Sequence, residues 1–216
     1  MYGLNNLDDK IFDRLQKLGV TSKFFIEAGA NDGLSQTNTY LLEAHHGWTG
    51  ILVEPNLINY QRACYNRPRS KVVRGALVSS DYSHSTIAGI FSESALNRWN
   101  GLATGVTKEH LEDFPDQVCE VPAITLTKVL QDCKAPLDIG LFSLDVENYE
   151  LEVLAGLDTE VWRPHVIVME VGKHYIEGVL AAHVDYMKSI DYLPDEDYEL
   201  TDHDFIFVDA RRNKNN

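Results

Sequence analysis

The sequence predicts an α/β domain built on a mainly parallel sheet with helices on both faces, and three observations carry that expectation. Short apolar runs alternate with segments whose apolar residues recur at helical spacing, and strands buried on both faces read as continuous apolar runs. The first run, Phe24-Phe25-Ile26, enters the glycine-bearing turn Gly29-Ala30-Asn31-Asp32-Gly33 and then a new apolar segment, Tyr40-Leu41-Leu42. Four of the runs end in a carboxylate: Glu27, Glu54, Asp145 and Glu170.

Taken in order, Ile11, Phe12, Leu15 and Leu18 mark an N-terminal helix within residues 1–22, with Gly19 as its C-cap. After the glycine turn, a helix over 39–44 stops near Gly47, with Thr37 or Asn38 placed to cap it. Gly50-Ile51-Leu52-Val53 is the second strand and ends in Glu54-Pro55. Leu57, Tyr60 and Cys64 share one helix face, and Arg67-Pro68 terminates that helix. Lys71-Val72-Val73 with Gly75-Ala76-Leu77-Val78 reads as a third strand. Residues 81–120 read as an irregular insertion, a lid over the site or a hairpin. Val121–Leu126 leads into a helix ending near Lys134, and Leu137–Leu144 is a fourth strand ending in Asp145-Val146-Glu147. Leu151, Val153 and Leu154 mark a helix closed by Gly156. Val166–Met169, a helix through Val179 and Ile190, and the strand Phe205–Val208 complete the chain, with no linker to divide residues 1–216.

Composition bounds the function. A formal net charge of −14 argues against a nucleic-acid partner, which calls for a basic surface. Cys64, Cys119 and Cys133 fit neither a disulfide framework nor a zinc spacing. No apolar run is long enough to span a bilayer, and residues 1–9 lack the basic and apolar regions of a signal peptide, so a cytoplasmic location is the expectation. The tail, Arg211-Arg212-Lys214, reads as a frayed, solvated end.

Carboxylates at strand ends cap helices in many folds, a reading that suits Glu147. It suits Glu54 poorly, because Glu54 follows a buried-looking run and precedes Pro55. In an open parallel sheet these ends share one edge, and ligands bind in the crevice outside them. Glu54 lies 21 residues beyond Gly33, close to where a dinucleotide fold places the acid that accepts ribose hydroxyls. That pairing fits either NAD or S-adenosylmethionine. The missing three-glycine pyrophosphate pattern favours S-adenosylmethionine over an NAD-dependent oxidoreductase. A binding protein that keeps the fold without turnover is the remaining class.

Three blocks in sequence, Glu27-Ala28-Gly29-Ala30-Asn31-Asp32-Gly33, Gly50-Ile51-Leu52-Val53-Glu54-Pro55-Asn56 and Ser143-Leu144-Asp145-Val146-Glu147-Asn148-Tyr149-Glu150, make the chain resemble the FkbM family of methyltransferases from about Phe24 to Val208. The resemblance implies a class I methyltransferase Rossmann-like fold, a seven-stranded sheet with its last strand antiparallel. It also implies O-methyl transfer to a hydroxyl of a sugar or glycan, or of a natural product. Glu27 stands where the family more often has Asp, and Asn148 where it often has Gly. By position, Gly29, Asn31 and Gly33 would line the methionine end of the cofactor, with Glu27 near its ammonium and Thr37 and Asn38 supporting its carboxylate. Glu54 and Pro55 would hold the ribose, Ala76 and Leu77 would flank the adenine, and Asp145 would face the methyl group. A base for the acceptor hydroxyl is sought among Asp145, Glu170 and His174. A divalent metal on Asp145 and Glu170 is conceivable by ligand type, but no spacing is diagnostic and none is predicted.

Overall fold

The computed structural model describes residues 2–90, 118–171, 178–195, 201 and 203–212, and the backbone of 101–102. A seven-stranded sheet contains β1 (Phe24–Ala28), β2 (Thr49–Glu54), β3 (Lys71–Arg74), β8 (Leu141–Leu144), β9 (Val166–Glu170), β10 (Tyr192–Pro194) and β11 (Asp204–Asp209), in the spatial order β10-β11-β9-β8-β1-β2-β3. The strands from β3 to β9 are parallel, whereas β11 runs antiparallel to both β9 and β10. The strand order reverses at β1, where β2 lies on one side and β8 on the other, and that is the switch point at which such sheets bind ligands.

Side chains alternate across the sheet, so the apolar runs feed two cores. Phe25, Leu52, Leu141, Val166 and Val168 pack with Ile11 and Leu15 of α1 (Leu7–Lys17) and Leu42 of α2 (Tyr40–His46). Ile26, Val53, Phe142, Ile167 and Met169 pack with Val129 of α4 (Leu126–Asp132), Val153 of α5 (Glu150–Ala155) and Met187 of α6 (Val179–Ser189). The helix α3 (Leu57–Asn66) is capped by Asn56, whose side chain accepts from the N–H groups of Ile58 and Asn59. Gly19 and Gly47 follow α1 and α2 in left-handed conformation, as the sequence predicts. Among the described residues no helix is long and apolar enough to cross a membrane.

Three expectations change. The third strand breaks at Gly75: β3 stays in the main sheet, while β4 (Ala76–Leu77) pairs in parallel with β7 (Val118–Ile124) in a second sheet. Within 81–120, β5 (Thr86–Ile90) pairs antiparallel with β7 and with β6 (Gly101–Leu102); 91–100 and 103–117 lie outside the described residues, and the insertion, lid or hairpin reading of 81–120 falls largely on them. The fourth strand begins only at Leu141, because Gly140 passes against the Ser22 carbonyl and the Trp48 ring. The tail is tied down rather than frayed as far as 212, since Arg211 pairs with Glu160 and Asp191, and Arg212 with Asp138 and Asp209. The strand β10 had no sequence signal, being three residues long and ending in Pro194.

Candidate active site

The site grows from two turns pressed together at the ends of β1 and β8. Gly29 has φ +78°, and a Cβ placed there would lie 1.7 Å from the backbone carbonyl oxygen of Asp145. The Asp145 N–H donates to the Ala28 carbonyl, and the Gly29 and Ala30 N–H groups both donate to the Val53 carbonyl. Only glycine at position 29 lets the β1 and β8 turns approach this closely. Gly33, at φ +74°, has the Arg67 Cγ and Ala63 where a side chain would stand.

Glu54 is 5 % exposed, and its carboxylate accepts from the Asn31 N–H and the Asn56 N–H, each at 2.8 Å. The acid at the end of β2 is thereby tied to the glycine turn, in which Asn31 is itself left-handed at φ +51°. Burial pushes the Glu54 carboxyl up to about 7 against the opposing effect of those two N–H groups. Pro55 is half-buried between Glu54 and the α3 cap, and the Ala76 and Leu77 side chains are buried in the core.

Glu27 is enclosed by its own chain. Thr37 Oγ1 donates to both carboxylate oxygens at 2.9 Å, the Asn38 N–H to Oε1 at 2.8 Å, and Thr39 Oγ1 to Oε2 at 2.6 Å. Thr37 and Asn38 therefore do not cap α2: Thr39 occupies the N-cap and makes no side-chain cap bond, because the buried carboxylate has drawn these hydroxyls inward. The Asn38 amide donates to Ser143 Oγ at 3.0 Å, linking the loop to β8 two residues before Asp145. Arg67 completes this cluster. The sequence shows it only as the end of a helix and one of several nearby basic residues, and nothing in its spacing signals that it is fully buried.

Asp145 and Glu170 stand at the ends of adjacent strands, where Leu144 pairs with Met169, so the two carboxyl groups are neighbours at the sheet edge. Desolvation raises the Asp145 carboxyl well above the ordinary carboxylate range, and Glu170, Glu147 and Glu150 push it further. The following turn is held by Glu150, 2 % exposed, whose Oε1 accepts from the Val146 and Asn148 N–H groups at 3.2 Å. Glu147 and Asn148 are consecutive left-handed residues, at φ +57° and +69°. Asn is the non-glycine residue that tolerates this conformation well, which accounts for Asn148 at a position where the family often has Gly. His174 lies outside the described residues. Among the described residues no three His, Cys, Asp or Glu side chains converge as a metal site.

These carboxyls make stability depend on pH. Glu54 and Glu150 are both pushed from 4.5 to about 7 by burial, so the folded chain holds protons that the unfolded chain has released. Their contribution to stability is full below about pH 4.5 and is lost as the pH rises through about 7. Urea unfolding followed at pH 5.5 and pH 8 is expected to give the higher midpoint at pH 5.5, and a higher midpoint at pH 8 would contradict these assignments.

A family model for the methyltransferase FkbM domain matches residues 27–207. The chain belongs to the FkbM methyltransferase family. Membership makes it a methyltransferase, with S-adenosylmethionine as the methyl donor, and sets the oxidoreductase reading aside. No curated protein matches the chain in sequence. Two solved structures have the same fold. One, from Pyrococcus horikoshii and assigned as an RNA methyltransferase, is 10 % identical, covers 95 % of this chain and 85 % of its own, and has a TM-score of 0.50. The other, a human methyltransferase 10 domain containing protein, is 11 % identical, covers 94 % of this chain and 81 % of its own, and has a TM-score of 0.50.

The residues present fit this cofactor. Among the described residues Glu54 accepts from the Asn31 and Asn56 N–H groups, and a carboxylate has further lone pairs that can accept ribose hydroxyls.

Proposed function

We propose that this FkbM methyltransferase transfers the methyl group to oxygen, on a hydroxyl of a sugar or glycan. The observation that carries the reading is the neighbouring carboxyls Asp145 and Glu170 at the sheet edge beside the glycine turn. Bound there, S-adenosylmethionine supplies a methyl group on a positively charged sulfonium. Displacement from such a centre is in line, so the main work of the protein is to hold the acceptor oxygen on the far side of the methyl carbon. Asp145, its carboxyl raised by burial and by the neighbouring Glu170, is suited to take the hydroxyl proton as the new bond forms. Glu147, in the turn after Asp145, adds a carboxylate to this edge, and carboxylates are natural partners for the several hydroxyl donors of a sugar. Glu54 and Pro55 hold the ribose in this scheme, the turn from Gly29 through Asn31 to Gly33 faces the methionine end, and Ala76 and Leu77 mark the adenine side.

Calorimetric titration with S-adenosylhomocysteine tests the cofactor assignment. Saturable binding is expected for the wild type, with at least about tenfold weaker binding for Glu54→Ala, the usual cost of losing a charged hydrogen-bond acceptor. Undiminished affinity in that variant would remove Glu54 from the ribose. Release of S-adenosylhomocysteine in the presence of neutral glycans, and not with amine acceptors, would support transfer to oxygen.

A further inference from the structure

We infer that Arg67 is the residue that sets the shape of the cofactor turn, a positioning residue that acts through Glu27 and the Gly33 carbonyl. The inference rests on the methyltransferase reading above. Arg67 follows the last turn of α3 and is 0 % exposed, the bulkiest side chain so completely buried among the described residues. Its Nε donates to Glu43 Oε2 at 2.8 Å and its Nη2 to Thr39 Oγ1 at 2.8 Å. Its Nη1 lies 3.3 Å from each of three acceptors, Glu27 Oε2, the Gly33 carbonyl and Thr37 Oγ1. The guanidinium sits over the rings of Phe25 and Tyr40, 5.2 and 5.6 Å from their centroids.

One planar cation thus ties together the end of β1, the second glycine of the turn, the loop 37–39 and α2. A lysine ammonium cannot span these directions at once, because its donors radiate from a single nitrogen. The Gly33 contact is the informative one. The Arg67 Cγ fills the space that a side chain at 33 would need, while its Nη1 takes the Gly33 carbonyl, so the guanidinium holds both ends of the segment from Glu27 to Gly33. Charge adds a second effect. Two carboxylates, Glu27 and Glu43, face one guanidinium, which leaves one surplus negative charge under the turn. A sulfonium cofactor with an ammonium on its methionine end is complementary to that sign.

Buried ion clusters are often replaceable by apolar residues without loss of stability, which makes a separation of roles measurable. The double variant Arg67→Met/Glu43→Gln keeps the same surplus of one negative charge while removing the guanidinium. It is expected to melt within about 5 °C of the wild type yet bind S-adenosylhomocysteine about tenfold more weakly. A folded double variant with wild-type affinity would show that Arg67 only supports the fold, and would overturn the inference. Should the double variant not fold, Arg67→Lys, which keeps the charge and loses the fork, is expected to bind at least about threefold more weakly. Unchanged affinity there overturns it equally. Failure of the wild type itself to bind S-adenosylhomocysteine would instead overturn the methyltransferase reading, and the inference with it.

Discussion

Replacing Gly29 by alanine is expected to destroy cofactor binding and cost the fold more than about 3 kcal/mol, since strain and backbone collision add. The new Cβ would lie 1.7 Å from the Asp145 carbonyl oxygen, an atom held in place by the β1–β8 ladder. The left-handed φ of +78° adds a cost of its own for any residue with a side chain. Nothing flexible can move aside, so either the turn rotates away from Asp145 or the two central strands separate. For a chain of this size the loss corresponds to a fall in melting temperature on the order of 6–12 °C or more. Thermal unfolding and titration with S-adenosylhomocysteine measure the two effects. A variant that melts and binds as the wild type does would show that the two turns are not in contact in solution.

Asp145→Asn is expected to separate activity from stability. Methyl transfer should fall by about 100-fold or more, the usual scale for a lost general base, while S-adenosylhomocysteine still binds. Stability at pH 8 should rise by about 1 kcal/mol, because an amide at 145 carries no charge to desolvate or to repel Glu170. The desolvated Asp145 carboxyl beside Glu170 is costly to the fold, so replacing it by an amide relieves the native state where Asp145 would ionise. In the wild type, transfer should increase with pH as the Asp145 carboxyl, raised by burial, loses its proton, and Asp145→Asn should flatten that rise. Full turnover in Asp145→Asn would exclude it as the base, and unchanged or lower stability at pH 8 would exclude the strained pair.

Glu54 and Asp145 were legible as carboxylates on one sheet edge because strand ends in a parallel sheet share an edge whatever the details of packing. The family was legible because three blocks carry the turn chemistry in order. Glu27 was legible as important, but its surroundings were not: a strand-end acid facing a ligand and one sealed by Thr37, Asn38, Thr39 and Arg67 have the same local pattern. Asn148 reads in sequence as a departure from the family, and becomes a left-handed residue suited to its turn only when φ is known. The partner of Asp145 was named as a candidate, yet only register places Glu170 one strand away within hydrogen-bond reach.

The sequence by itself determined the α/β class, the order of the central elements and the edge on which the carboxylates lie, because hydrophobic periodicity and turn residues are local properties. The tertiary structure decided the rest. Arg67 at the end of α3 meets Glu27 on β1 and Glu43 on α2, separated from them by 40 and 24 residues in the chain. Gly75 breaks a run of strand-like residues because β4 finds β7 as a partner almost 50 positions on. Such contacts depend on which segments the folded chain brings together, and no local pattern encodes a neighbour that far away.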